Sequence, residues 1–173
     1  AQRRLPQVAK HTKRDRAPAL VLAAGLAAIG LFCLMLRAEL RLPRTISTEG
    51  LEILPAGSYA CAFYPAEDTR NGDIALTGWA VPEGERYEQV RQWVAVYDSR
   101  TGRYTRLPTV MEENGEPMET LDDPQNALFG GFYALVPDKL AAAADSCELC
   151  ILDRSNQRNN LVHTGVMLSE VLA

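Results

Sequence analysis

The chain has 173 residues, 18 Lys and Arg against 22 Asp and Glu for a formal net charge of −4, and 47% hydrophobic residues. That apolar content excludes a disordered polyelectrolyte, and the acidic balance works against docking on a phosphate backbone, so no nucleic-acid partner is expected. Four cysteines exclude a disulfide-dense scaffold.

Residues 1–16 carry Arg3, Arg4, Lys10, Lys13, Arg14 and Arg16 against the single acid Asp15. Residues 17–36, APALVLAAGLAAIGLFCLML, then run without a charge. At about 1.5 Å per residue a helix of this length spans the roughly 30 Å hydrocarbon core of a bilayer, so a single transmembrane helix is predicted, with the lipid bilayer as its first partner. The competing reading is a cleaved signal peptide, whose apolar region usually covers about 7–15 residues and ends at a small-residue cleavage site. Here the run is longer and closes on Leu36-Arg37-Ala38-Glu39. A soluble core helix would show one polar face, and this segment shows none. Ala23, Gly25, Ala27 and Gly30 offer a small-residue surface for a second helix, although such residues are also ordinary filler in membrane spans. Flanking bases stay on the cytoplasmic side, and from Thr45 onward there are 20 acids against 9 bases. The expected topology keeps 1–16 in the cytoplasm and 45–173 outside the cell membrane.

Residues 37–44 read as a short stalk, because Pro43 lacks a backbone donor and disfavours helix at Leu42. The remaining length suits one domain. SYACAFY (58–64), DIALTGWAV (73–81), QWVAVYD (92–98), RYTRLPTV (103–110), FGGFYALV (129–136), CELCIL (147–152) and LVHTGVML (161–168) fit a period of two better than 3.6. Turn-rich gaps at 98–102 and 153–160 predict two hairpins. Lys139–Ala144 predicts one helical turn, N-capped by Asp138 after Pro137. The expected fold is mostly β: a transmembrane helix followed by an antiparallel, Ig-like β-sandwich of about seven strands.

Within LVHTGVML, alternation puts Leu161, His163 and Gly165 on one face and Val162, Thr164 and Val166 on the other. With the β-branched set facing the core, His163 reads as structural rather than as a catalytic base. His11 lies in the tail, so a zinc site would have to rest on cysteines. The sequence carries no G-x-S-x-G elbow, P-loop or dinucleotide fingerprint, and a non-enzymatic chain is expected. Cys147 and Cys150 are three apart on a strand and face opposite sides, so they do not pair with one another. An extracytoplasmic disulfide would join one of them to Cys61, and three free thiols are the equal alternative. The acidic loop 111–126 offers Asp122, Asp123 and Asn126 as oxygen ligands for Ca²⁺, without EF-hand spacing; a solvated loop is the plainer reading. Trp79, Trp93 and Tyr97 are candidates for sugar stacking, and core packing is the competing fate of such rings.

Gly78-Trp79-Ala80, Val94-Ala95-Val96-Tyr97-Asp98, Leu121-Asp122-Asp123 and Gly131-Phe132 occur in an order that resembles small β-sandwich modules of bacterial cell-surface proteins, some linked to polysaccharide assembly. The resemblance spans Ile74 to Leu168. It implies an extracytoplasmic accessory or interaction module of an envelope-polymer assembly or export system, with a membrane or envelope protein as partner. The alternative it implies is a domain that binds or hydrolyses surface glycans directly.

Overall fold

The computed structural model describes residues 16–65, 74–82, 89–121 and 127–173. The chain divides into an N-terminal unit ending at Ala38 and a second unit from Glu39 to Ala173. The N-terminal unit is helical: helix α1 covers Arg16–Arg41, so the helix continues into the stretch expected as a stalk. Among the described residues one helix is long and apolar enough to cross a membrane, Pro18–Ala38, with mean hydropathy 2.6 and 0% of it buried. Ala23, Gly25, Ala27 and Gly30 are exposed, and apart from the adjoining residues and helix backbone nothing lies within 4 Å of where a Cβ on Gly25 or Gly30 would stand. The basic tail, residues 1–15, lies outside the described residues.

The second unit is built of strands. Among the described residues there are ten: β1 (Arg44–Ile46), β2 (Glu52–Leu54), β3 (Tyr59–Pro65), β4 (Ile74–Pro82), β5 (Gln92–Asp98), β6 (Arg103–Arg106), β7 (Thr109–Glu112), β8 (Gly131–Val136), β9 (Cys147–Asp153) and β10 (Asn160–Met167). They form a six-stranded sheet in the order β1-β6-β5-β9-β10-β2 and a four-stranded sheet in the order β3-β4-β8-β7. This corrects the expected seven strands. Two of the additions, β1 and β2, have three residues each, too short to show a period. The third comes from RYTRLPTV, which is not one strand. Pro108 cannot donate to a ladder, and at Leu107-Pro108 the chain leaves β6 in the larger sheet and enters β7 in the smaller one. Leu107 N–H still reaches Val94 O at 2.9 Å, while Pro108 O accepts from Leu135 N–H at 2.9 Å. The pairing is antiparallel except for β2, which lies parallel to β10, a further departure from the expected topology. Both predicted hairpins form, β5–β6 and β9–β10. The predicted helical turn is helix α3, Asp138–Ala141, with Pro137 at the N-cap position; the other short helices are α2 (Glu116–Thr120) and α4 (Leu168–Leu172).

Alternation gives each sheet an inner face, and the two inner faces share one core. Leu76 and Ala80 of β4 with Phe132, Ala134 and Val136 of β8 meet Val94 and Val96 of β5, Leu149 and Ile151 of β9 and Val162 of β10; Leu168 and Val171 of α4 join the same cluster. Burial of each such Val, Leu, Ile or Phe side chain stabilises the fold by about 1.5–3 kcal/mol relative to exposure. Cys147 is part of this core and Cys61 packs against it, whereas Cys150 faces the other side of β9. The cysteines are free thiols in this structure, the state weighed equally with a disulfide from Cys61 to Cys147 or Cys150. A bond from Cys61 to Cys150 would have to pass through the sheet.

The other face of the six-stranded sheet is also buried, because the sheet is curled. A flat sheet would hold its edge strands β1 and β2 about 24 Å apart, five spacings of about 4.8 Å. The chain from Ile46 to Glu52 covers at most about 21 Å when extended, and it contains a turn in which Leu51 N–H donates to Thr48 O at 3.0 Å. The edges must therefore approach one another. Inside the curl, Ala95, Cys150, Leu152 and Leu161 are buried, and Ile46, Leu51, Trp93, Tyr97 and Tyr104 pack on them.

Candidate functional site

The concave face of the curled sheet becomes polar at one end, where β5 ends and β9 begins. Alternation places Glu148 and Cys150 on the same face of β9, and the hairpin register sets His163 of β10 opposite Cys150. Tyr97 of β5 lies opposite Glu148, and Tyr104 of β6 opposite Tyr97. Four neighbouring strands thus each bring a side chain to one place.

His163 is held from both ring nitrogens. Its Nδ1 lies 2.8 Å from Glu148 Oε2, and its Nε2 lies 2.9 Å from the Tyr104 hydroxyl. Cys150 Sγ is 3.9 Å from the same Nδ1. The second carboxylate oxygen of Glu148 accepts from Gly165 N–H at 2.9 Å. That contact depends on an irregularity: the β9–β10 register shifts between His163 and Met167, and Gly165 takes φ 75°, a left-handed conformation that glycine adopts without a Cβ penalty. Tyr97 and Tyr104 stack with centroids 4.7 Å apart, and each meets His163 edge-on at 5.6 and 5.7 Å. Cys150 is wholly buried, while the side chains of His163 and Glu148 are 22% and 20% exposed. The cluster is open to solvent at its rim and closed at its floor.

Hydroxyl, imidazole and carboxylate stand here in the order of a nucleophilic triad, but the electrostatics oppose that chemistry. Burial is the first cause that raises the Tyr104 phenol, followed by the charges of Cys150, Tyr97 and Glu148. Burial and then Glu148 raise the Cys150 thiol far above its ordinary value. A lowered value is one route to an activated nucleophile, and neither group has that shift. The arrangement is suited to holding groups in place. Glu148, Cys150 and His163 also bring one oxygen, one sulfur and one nitrogen donor within 4.8 Å of one another.

The residues singled out from sequence are placed elsewhere or engaged differently. Trp79, 4% exposed, is buried with Val81 and Ala127 in a small cluster of its own. Trp93 packs on the concave cluster with the Arg106 guanidinium 5.0 Å and the Arg91 guanidinium 5.5 Å from its ring centroid. Tyr97 is stacked on Tyr104. Asp122, Asp123 and Asn126 lie outside the described residues. His163 does face away from the β-branched set, which is buried between the sheets at Val162. The sequence does not single out Glu148, and it offers Tyr104 only among the aromatic residues for sugar stacking, not as a partner of His163. The C-E-L-C spacing contains the first as a same-face partner of Cys150, but Tyr104 joins only through strand pairing.

No protein-family model, curated protein or solved structure matches this chain.

Proposed function

We propose that the chain is a single-pass membrane-anchored interaction module of a bacterial envelope, with residues 1–16 in the cytoplasm and the β unit outside, serving a surface-polymer assembly or export system as an accessory protein. The observation that carries this reading is the bareness of α1, a 21-residue apolar span of which none is buried, which the hydrocarbon core of a bilayer would accommodate. Charge supports the orientation. Six bases precede the span, and juxtamembrane bases gain about 1 kcal/mol each from anionic lipid on the inner surface. The β unit encloses cores of its own between its sheets and within its curl.

An adaptor fits the aromatic residues better than a sugar platform does. Stacking on a glycan needs a free ring face, and Trp79 is buried, Trp93 lies under guanidinium groups, and Tyr97 is stacked. In wall-stripped cells, external protease is expected to digest an epitope on the C-terminal side of the β unit and to spare one on the N-terminal side of α1. Crosslinking in the native membrane is expected to recover the same envelope protein repeatedly. The reverse protection pattern, or recovery of a lone chain, overturns the proposal; glycan-array binding lost on Trp93→Ala would replace it with the direct sugar-binding reading.

A further inference from the structure

Glu148, Cys150 and His163 come from two strands whose register alone brings them together, and each has an orientation fixed by something else. Glu148 is fixed through Oε1 by the Gly165 amide, His163 through Nε2 by the Tyr104 hydroxyl, and Cys150 by complete burial in the floor of the curl. One donor atom from each converges, Oε2, Nδ1 and Sγ, all within 4.8 Å of one another. We propose that these three atoms form a binding site for a divalent cation of the zinc class, entered from the exposed rim at His163 and Glu148, with a fourth position left to water or to a group from a partner. This inference stands apart from the membrane-adaptor reading and goes beyond it.

The donor set selects the ion. Thiolate and imidazole suit a borderline cation and are poor ligands for Ca²⁺ or Mg²⁺, which take oxygen. The spacing fits as well. Zinc lies about 2.0–2.1 Å from a ligating nitrogen and about 2.3 Å from sulfur, so an ion between Nδ1 and Sγ, 3.9 Å apart, reaches both without movement of either strand. Glu148 Oε2 is already 2.8 Å from that Nδ1, and its part-exposed side chain has room to open by a few tenths of an ångström.

The surroundings supply what ligating residues need. A metal-bound histidine passes its other ring N–H to a hydrogen-bond acceptor, which fixes the tautomer, and the Tyr104 oxygen stands at that place. In the tautomer with its proton on Nδ1, the metal-free imidazole donates to Glu148 and accepts from Tyr104 at Nε2. On binding, the cation takes the place of the Nδ1 proton, the imidazole proton resides on Nε2 and is donated to Tyr104, and the Cys150 thiol gives its proton to water. With Glu148 as carboxylate, one proton is released per ion and the two ligand charges match the cation.

The test uses the full chain in detergent micelles, stripped of metal and dialysed against Zn²⁺ and, separately, Co²⁺. The expected result is one Zn²⁺ per chain at micromolar concentration, and with Co²⁺ a thiolate charge-transfer band in the near ultraviolet. Cys150→Ser removes the band, and His163→Gln and Glu148→Gln each weaken Zn²⁺ binding at least tenfold with unchanged circular dichroism. Tyr104→Phe weakens it by about 10- to 100-fold, as loss of an outer partner does, and Cys61→Ala leaves it intact. The site is overturned if the stripped chain takes up no Zn²⁺, or if the band and stoichiometry survive Cys150→Ser, which would assign the metal to other thiols. Should Cys150→Ser fail to fold, undiminished affinity in His163→Gln overturns it equally.

Discussion

The hydroxyl of Tyr59 on β3 donates a hydrogen bond to the carboxylate of Asp153 on β9 and so ties the four-stranded sheet to the six-stranded one. Asp153 is wholly buried. Its oxygens are satisfied by Tyr59, by Arg158 at 3.2 Å and by the Ser155 amide at 2.8 Å. A buried carboxylate that loses one of its donors keeps the desolvation cost of the missing bond.

Tyr59→Phe is accordingly expected to lower unfolding stability by about 1–3 kcal/mol, measured by urea denaturation of the detergent-solubilised chain. The pH dependence has a definite sign. Burial first, and Asp153 second, raise the Tyr59 phenol well above its ordinary value, so the protonated phenol is the form the fold prefers. Its contribution is complete below the unfolded value of about 10 and is lost as pH climbs beyond it. Stability of the native chain should fall above pH of about 10, and Tyr59→Phe should fall less steeply. An equal slope in both would refute the linkage.

Gly78 lies opposite Phe63 of β3 and Phe132 of β8, whose rings approach with centroids 5.4 Å apart. A Cβ at Gly78 would stand 2.1 Å from Ala62 O and 2.9 Å from the Phe132 ring. The carbonyl belongs to a paired strand and cannot retreat without breaking the ladder. Gly78→Ala is expected to cost about 1–3 kcal/mol or more, read as a lowered thermal midpoint. An unchanged midpoint would show that β3 and β4 tolerate separation.

Gly165→Ala should cost about 1–2 kcal/mol through the left-handed penalty, because its φ is 75°. The predicted Cβ contact, 3.4 Å from the Ala56 Cβ, adds little. Gly165→Asn should recover part of the loss, since asparagine enters this region more readily. Thermal melts of the two variants check the order.

In the N-terminal unit, Ile29 stands near the middle of the apolar span. Ile29→Arg is expected to add about 3–4 kcal/mol to insertion, with a matching shift of the chain from the membrane pellet to the alkaline-extractable fraction. Retention equal to that of the native sequence would remove the membrane reading of α1.

Strands long enough to alternate declared themselves in the sequence: QWVAVYD and CELCIL became β5 and β9 within a residue. The three-residue strands carry no such pattern; β1 and β2 exist because their partners do. The switch of sheets at Pro108 was hidden for a related reason, since RYTR and TV alternate as if continuous and the proline marks an interruption without saying where the chain goes. At the polar cluster, the same-face relation of Glu148 and Cys150 follows from period two alone. Adding His163 requires the hairpin register, and Tyr104 enters through a second register across β5. One thiol, one imidazole and one carboxylate meet there across two strands, a juxtaposition that the period of a single strand does not show.

The parallel pair β2–β10 sets an order of events during folding. Asn159 reaches back to the Gly50 carbonyl across 109 residues, and β2 has no place in the sheet until β10 exists to receive it. While the chain is being made, β2 waits for β10 as the later strands emerge, and such distant pairings form slowly. Leu51, which packs over the buried side chains of the curl, arrives with β2. Until that last docking, Leu152 and Leu161 stay open to water and to other chains, so the interval just after synthesis is when this protein is most exposed to aggregation or to capture by a chaperone.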